Sequence, residues 1–157
     1  MLQRCGDAST MKSAKNRFYP DDVLYGKLRS YLDKAVIAEM EGICSTDILV
    51  FTANSKVAPR FLVYLLHTEA FVNHAVATST GISHPRTSWD SLGKFTFALP
   101  LSSEQRSIAA VFQAIDEKTT TLEREVELID ELFHATLEEL MTGQRSAVSL
   151  IESGEIQ

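Results

Sequence analysis

The chain has 157 residues, 45% of them hydrophobic and 23% charged, with a formal net charge of -6. That length suits one domain plus an extension better than two independent cores, and the composition is that of a folded chain. No apolar run approaches the roughly 18 to 20 residues of a membrane span, and the opening MLQRCGDASTMKSAK lacks the apolar core of a signal peptide, so a cytoplasmic protein without a membrane partner is expected.

The net acidity is unevenly placed. Residues 1–60 hold nine Lys/Arg against seven Asp/Glu, residues 61–100 two against two, and residues 101–157 four against twelve. Lys12, Lys15, Arg17, Lys27, Arg29 and Lys34 gather toward the front, where they can meet phosphates away from the acidic third. Cys5 and Cys44 form neither a CxxC nor a disulfide framework; they read as a free tail thiol and a small buried hydrophobe.

In chain order, the first hundred residues read as a mixed α/β module. Two short strand-like runs, Ala35 to Glu39 and Asp47 to Thr52, flank a turn at Glu41 and Gly42. One helix follows from Pro59, with Phe61, Leu62, Leu65, Leu66, Val72 and Val76 in a single broad arc that packs on the sheet. The polar loop TSTGISHPRTSWDSLGKF, of a composition common in binding elements, leads to a last strand-like segment, Phe95 to Leu99.

The C-terminal third has a measurable period. Ser102 and Gln105 fit a capping box after Pro100. From there Ile108, Phe112, Ile115, Thr119, Leu122, Val126, Ile129, Phe133, Thr136 and Leu140 step by alternating four and three residues, an unbroken heptad seam that Gly143 ends. The spacing predicts a helix of about 40 residues, roughly 60 Å long at 1.5 Å per residue. Outside the seam it is mostly charged, and no second segment of comparable length exists in the chain. The seam therefore calls for a helix of another subunit, with Thr119 and Thr136 fixing register at a cost in stability.

Catalytic patterns are missing from the sequence. His67 and His74 are seven apart with no third ligand at metal spacing, and no G-x-S-x-G, P-loop or G-x-G-x-x-G occurs. Pro20-Asp21 with Asp116-Glu117-Lys118 resembles a nuclease signature, but the second half lies in the heptad helix, far from any sheet on which the carboxylates would have to converge.

Three segments in order carry a resemblance: VLYGKLRSYLDKAVIAEMEGICSTDILVF, FLVYLLHTEAFVNHAVATSTGISHPRTSW and LPLSSEQRSIAAVFQAIDEK. Together, over about Val23 to Gly143, they look like the specificity subunit of type I restriction-modification systems. The resemblance implies an α/β (α+β) target-recognition domain, here partial and over residues 1–100, that reads double-stranded DNA. It implies a conserved coiled-coil helix over 101–143, pairing antiparallel with a counterpart, and leaves 144–157 as a flexible tail. Full-length members carry two such domains and two such helices; this chain offers at most one of each, as a half-length or truncated member would, and a homodimer is implied.

On that reading the chain binds no cofactor and catalyses nothing. S-adenosylmethionine and ATP with Mg belong to separate modification and restriction subunits, which would be its partners. Two copies paired through the helices would set the unread spacer between half-sites of a palindromic bipartite target, since DNA rises about 3.4 Å per base pair. Lys27, Arg29 and Lys34, with Tyr25 and Tyr31 interleaved, are the first candidate DNA contacts; Ser79, Thr80, His84 and Arg86 form a second cluster of short donors. Arg86 is weighed equally between DNA and a loop-bracing hydrogen bond, and Trp89 is assigned to core packing. Two other readings stay open: an interaction protein that competes for subunit assembly through the coiled coil without binding DNA, and an enzyme built on the His84–Arg86 loop.

Overall fold

The computed structural model describes residues 14–148; Cys5, Lys12 and the last nine positions of the expected tail lie outside them. Strands β1 (Lys15–Phe18), β2 (Val23–Gly26), β3 (Ala35–Ile37), β4 (Gly42–Ser45) and β5 (Ile48–Phe51) come first. Helices α1 (Pro59–Leu66), α2 (Glu69–Ala77), α3 (Trp89–Leu92) and α4 (Ser102–Met141) follow. The chain forms two compact units that divide inside α4, between Phe112 and Gln113, so the first unit takes in the opening turns of that helix instead of ending near residue 100.

In the first unit β2 is the centre of a three-stranded antiparallel sheet of order β3-β2-β5, and β1 pairs with β4 in a separate antiparallel ribbon. All four residues of β2 are buried, because it is covered on both faces. Val23 and Tyr25 point with Ala35, Leu49 and Phe51 into one core, closed by Val63, Leu66, Phe71, Ala75 and Leu92 of the helices. Leu24, one residue out of phase, points with Val36, Ile48 and Val50 into a second core around Phe18, Ala38 and Cys44. The period-two alternation of a strand thus feeds two cores from one short run of sequence. Burial raises the Cys44 thiol above its ordinary range, with Lys15 acting weakly against it.

The expected runs at 35–39 and 47–52 hold as β3 and β5 with trimmed ends. The turn placed at Glu41 and Gly42 does not hold at Gly42, which opens β4 opposite Phe18. A Cβ there would lie 2.6 Å from the Phe18 ring, so the glycine lets the aromatic ring cover its partner strand. Pro20 and Asp21 form a tight turn with Asp21 left-handed (φ 68°). The buried Asp22 carboxylate accepts from the Tyr19 N–H at 2.8 Å and the Thr52 hydroxyl at 2.7 Å, tying the turn to the residue after β5.

Three further expectations change. The single helix from Pro59 is two, because Thr68 caps a new start by accepting from the Phe71 N–H at 3.4 Å. Phe95 to Leu99 is not a strand: Phe95 packs edge-on against Phe71 with ring centroids 5.2 Å apart, and its segment makes no ladder. The capping box does not form. Gln105 is 1% exposed, accepts from the Ala58 N–H at 2.8 Å, and donates to the carbonyls of Lys56 at 3.0 Å and Pro100 at 2.9 Å. Its amide ties the entry to α1 and the entry to α4 together, which a short reach back to Ser102 would forgo.

The second unit is the remainder of α4 and the residues that follow. Gly143, left-handed at φ 73°, follows the helix as a C-terminal stop. Just beyond, the Arg145 N–H donates to the Glu139 carbonyl at 3.0 Å, so the segment expected as a tail begins folded back on the helix end.

Candidate nucleic-acid interface

The chain leaves β2 at Gly26, and its next residues adopt an unusual path: Arg29 (φ 53°) and Asp33 (φ 46°) are both left-handed, bracketing a single 3-10 turn at Ser30–Leu32. Left-handed backbone at two non-glycine positions persists only where surrounding bonds hold it. Those bonds come from the polar loop that holds Pro85 and Thr87 and from the turn between β4 and β5. The Arg29 N–H donates to the Pro85 carbonyl at 2.8 Å, the Thr87 N–H to Lys27 at 3.1 Å, and the Lys27 N–H to Asp47 at 3.0 Å. Thr80 and Arg86 close that loop with two reciprocal 2.9 Å bonds, and the Ser30 and Ser79 hydroxyls lie 3.4 Å apart.

The two clusters read separately from the sequence are therefore one surface. On it Arg29, Tyr31, Lys34, Thr80, His84 and Arg86 are exposed, and Lys27 and Ser79 half-buried. Lys34 lies with its aliphatic stem over Gly26, where a Cβ would come within 3.0 Å of Cε, and its Nζ donates to the Leu28 carbonyl at 2.6 Å. Gly81, at φ 102°, turns the loop tip, and the next residue, Ile82, is 103% exposed.

Tyr25 does not belong to this surface. It is 0% exposed, in edge-on contact with Phe51 and Phe71 at 6.2 and 5.6 Å, because its position in β2 sends the ring into the helix-facing core. Burial raises the Tyr25 phenol above its usual range, with the neighbouring Ser30 side chain acting against the shift. Trp89 departs in the opposite direction: it is 53% exposed, leaning on Phe51 with centroids 4.8 Å apart rather than sealed in the core. Beside it Lys15, Asn16, Arg17, Leu49 and Val50 line an open cleft of about 450 Å³.

Arg86 pairs with a side chain of the turn between β4 and β5. Its Nε and Nη2 donate to the two carboxylate oxygens of Asp47 at 3.1 and 3.4 Å, and Asp47 was missed in the sequence because it reads as the start of a strand. The Arg86 hydrogen bond, with Lys27 and Lys34 nearby, holds the Asp47 carboxyl below its usual range, and Asp47 raises Arg86 in return. Both histidines of the expected helix are occupied: His67 Nδ1 lies 2.9 Å from Asp33, and His74 Nε2 lies 2.9 Å from the Ser91 carbonyl. Among the described residues no three His, Cys, Asp or Glu side chains stand close enough to hold a metal ion.

Along α4 the first two seam positions pack within the α/β unit. Ile108 is half-buried, and the Phe112 ring lies 5.1 Å from Tyr64. From Ile115 the seam faces solvent: Ile115, Thr119, Leu122, Val126, Ile129 and Phe133 are exposed, with Thr136 and Leu140 half-covered. Leu128 and Leu132, outside the heptad positions, are exposed too and widen the apolar face beside Ile129.

A family model of the type I restriction modification DNA specificity domain matches residues 14–132. The chain belongs to this family. A specificity-domain chain of this kind is 30% identical, over 114 residues, to the type I restriction enzyme EcoDI specificity subunit of Escherichia coli; the match takes in 73% of this chain and 25% of that protein. Among solved structures, the HsdS subunit from Thermoanaerobacter tengcongensis is similar with a TM-score of 0.58 at 27% identity, over 76% of this chain and 32% of that one. A chain from the structure on complex assembly and conformational transition of the type I R-M system gives 0.63 at 26%, over 89% and 36%. The specificity domain seen here thus spans about a quarter to a third of these relatives. Over the matched part the fold is shared, a small sheet region followed by a long helix.

Proposed function

We propose that this chain reads DNA for a type I restriction-modification complex and positions its methyltransferase and restriction subunits on a bipartite target. The observation that carries the reading is the single surface made by Lys27, Arg29 and Lys34 with the Thr80–Arg86 loop, inside the span that matches the family. Lys27 and Arg29 make phosphate contacts that set register, while Thr80, His84 and the exposed loop tip reach base edges. The exposed seam of α4 supplies the pairing: two such helices, antiparallel in a homodimer, fix the spacing between two half-sites.

The chain itself contributes binding and geometry, in the cytoplasm, and takes no cofactor. Methyl transfer from S-adenosylmethionine and ATP- and Mg-dependent cleavage belong to the partner subunits. The test is charge reversal, Lys27→Glu with Arg29→Glu, in the complex assembled with its modification subunit. Affinity for duplex DNA at moderate salt falls by about tenfold or more, as the loss of two phosphate contacts requires. Unchanged affinity in a gel-shift titration removes these residues from the interface.

A second reading is favoured by the exposed seam taken alone: a protein that competes for subunit assembly through the coiled coil. It predicts a dimer, by light scattering, that recruits the modification subunit yet binds no DNA.

A further inference from the structure

The Asp47–Arg86 pair is out of keeping with its surroundings. A surface that meets phosphates is expected to leave its guanidinium groups free, yet here a carboxylate sits among Arg86, Lys27 and Lys34. The pair is not needed to hold the loops. Asp47 is already fixed through its main chain, its carbonyl accepting from Lys27 at 3.0 Å and its N–H donating to Ser45 Oγ at 3.2 Å. Arg86 is fixed by its two main-chain bonds to Thr80. Both side chains also remain partly open to solvent, at 38% and 44%, so an incoming anion can reach the guanidinium.

Geometry decides what such an anion is. The carboxylate engages Arg86 through two nitrogens, Nε and Nη2, in the side-on fork that a phosphate's paired oxygens also satisfy. A guanidinium held by a carboxylate through two nitrogens, with Lys27 and Lys34 acting on that carboxylate from nearby, suits a full negative charge better than the partial charges of a base edge. We infer that Asp47 is an internal counter-ion that occupies a phosphate position on Arg86 and that a backbone phosphate of DNA displaces. The inference rests on the DNA-reading function proposed above and adds a restraint to it. DNA of any sequence must compete with a tethered carboxylate for Arg86, so weak, non-specific encounters gain less from this cation than they would without Asp47.

The test uses the full chain and a fluorescein-labelled duplex of arbitrary sequence, with anisotropy followed across a salt series for wild type, Asp47→Asn, Arg86→Gln and the double variant. Asp47→Asn binds about threefold or more tighter at low salt, and its log–log salt dependence steepens by about one unit, the signature of one more net phosphate neutralised. In the Arg86→Gln background the same substitution gives little of that gain. Thermal melts show the variants folded, since the main-chain bonds remain. Asp47→Asn binding that is unchanged or weaker while wild type binds overturns the inference, as does an undiminished gain without Arg86, which makes Asp47 a general surface charge. A wild type that binds no duplex fails at the earlier step: the DNA-reading function falls, and the inference with it.

Discussion

Replacing Gln105 by alanine tests how the first turns of α4 are secured. The amide is fully enclosed and makes three hydrogen bonds, from the Ala58 N–H and to the Lys56 and Pro100 carbonyls. Truncation removes all three, and at about 1 kcal/mol net each that is about 3 kcal/mol. The orphaned Ala58 N–H and the space left behind add to this wherever water does not enter, giving about 3 to 5 kcal/mol. That is a large fraction of the roughly 5 to 15 kcal/mol that holds a domain folded. With a urea slope of about 1.5 kcal/mol/M, the unfolding midpoint falls by about 2 to 3 M. Gln105→Glu is at least as damaging, because its carboxylate still accepts from Ala58 but faces two carbonyl oxygens with nothing to donate. Equilibrium urea unfolding by circular dichroism is the assay. A loss below about 1 kcal/mol in Gln105→Ala would mean that the amide is not the clasp its geometry describes.

Gly42→Ala places a methyl group 2.6 Å from the Phe18 ring and lowers stability by about 1 to 3 kcal/mol; adding Phe18→Leu recovers part of the loss, and equal melting temperatures for both variants refute the clash. Tyr25→Phe removes a buried hydroxyl that has only the Ser30 side chain beside it, so stability changes by no more than about 1 kcal/mol and DNA affinity is unchanged; a tenfold drop in affinity would return Tyr25 to the interface. Ile115→Asp with Ile129→Asp leaves the α/β unit folded and dissociates the proposed dimer, read as solution mass by light scattering. A double variant that still runs as a dimer contradicts the seam.

What was legible in the sequence followed from periodicity. The heptad stepping from Ile108 to Leu140 and the stop at Gly143 gave α4 nearly to the residue, because long regular elements average over local exceptions. Strands β1, β2 and β4 escaped. β2 is buried on both faces and shows no alternation, while β4 begins with a glycine that is there for Phe18 rather than for a turn. The same cause misplaced Tyr25: next to Lys27 and Arg29 it looks like part of a basic, aromatic surface, and only pairing with β3 and β5 shows that it faces the core. The meeting of the Lys27–Lys34 turn with the Thr80–Arg86 loop, and Asp47 between them, were beyond reach. They depend on hydrogen bonds between positions far apart in the chain, which no local pattern records.

The way that turn and loop are joined bears on how a reader of the proposed kind changes its target. The joints, Arg29 to Pro85, Thr87 to Lys27 and Thr80 to Arg86, are made by main-chain atoms. Every residue carries the carbonyl, and every residue except proline the N–H. The frame therefore survives when side chains at its exposed tip are exchanged, whereas β2, whose side chains fill two cores, tolerates almost no exchange. On the proposed DNA-reading function, exchange of side chains at that tip alters what is read while the frame that presents it stays in place.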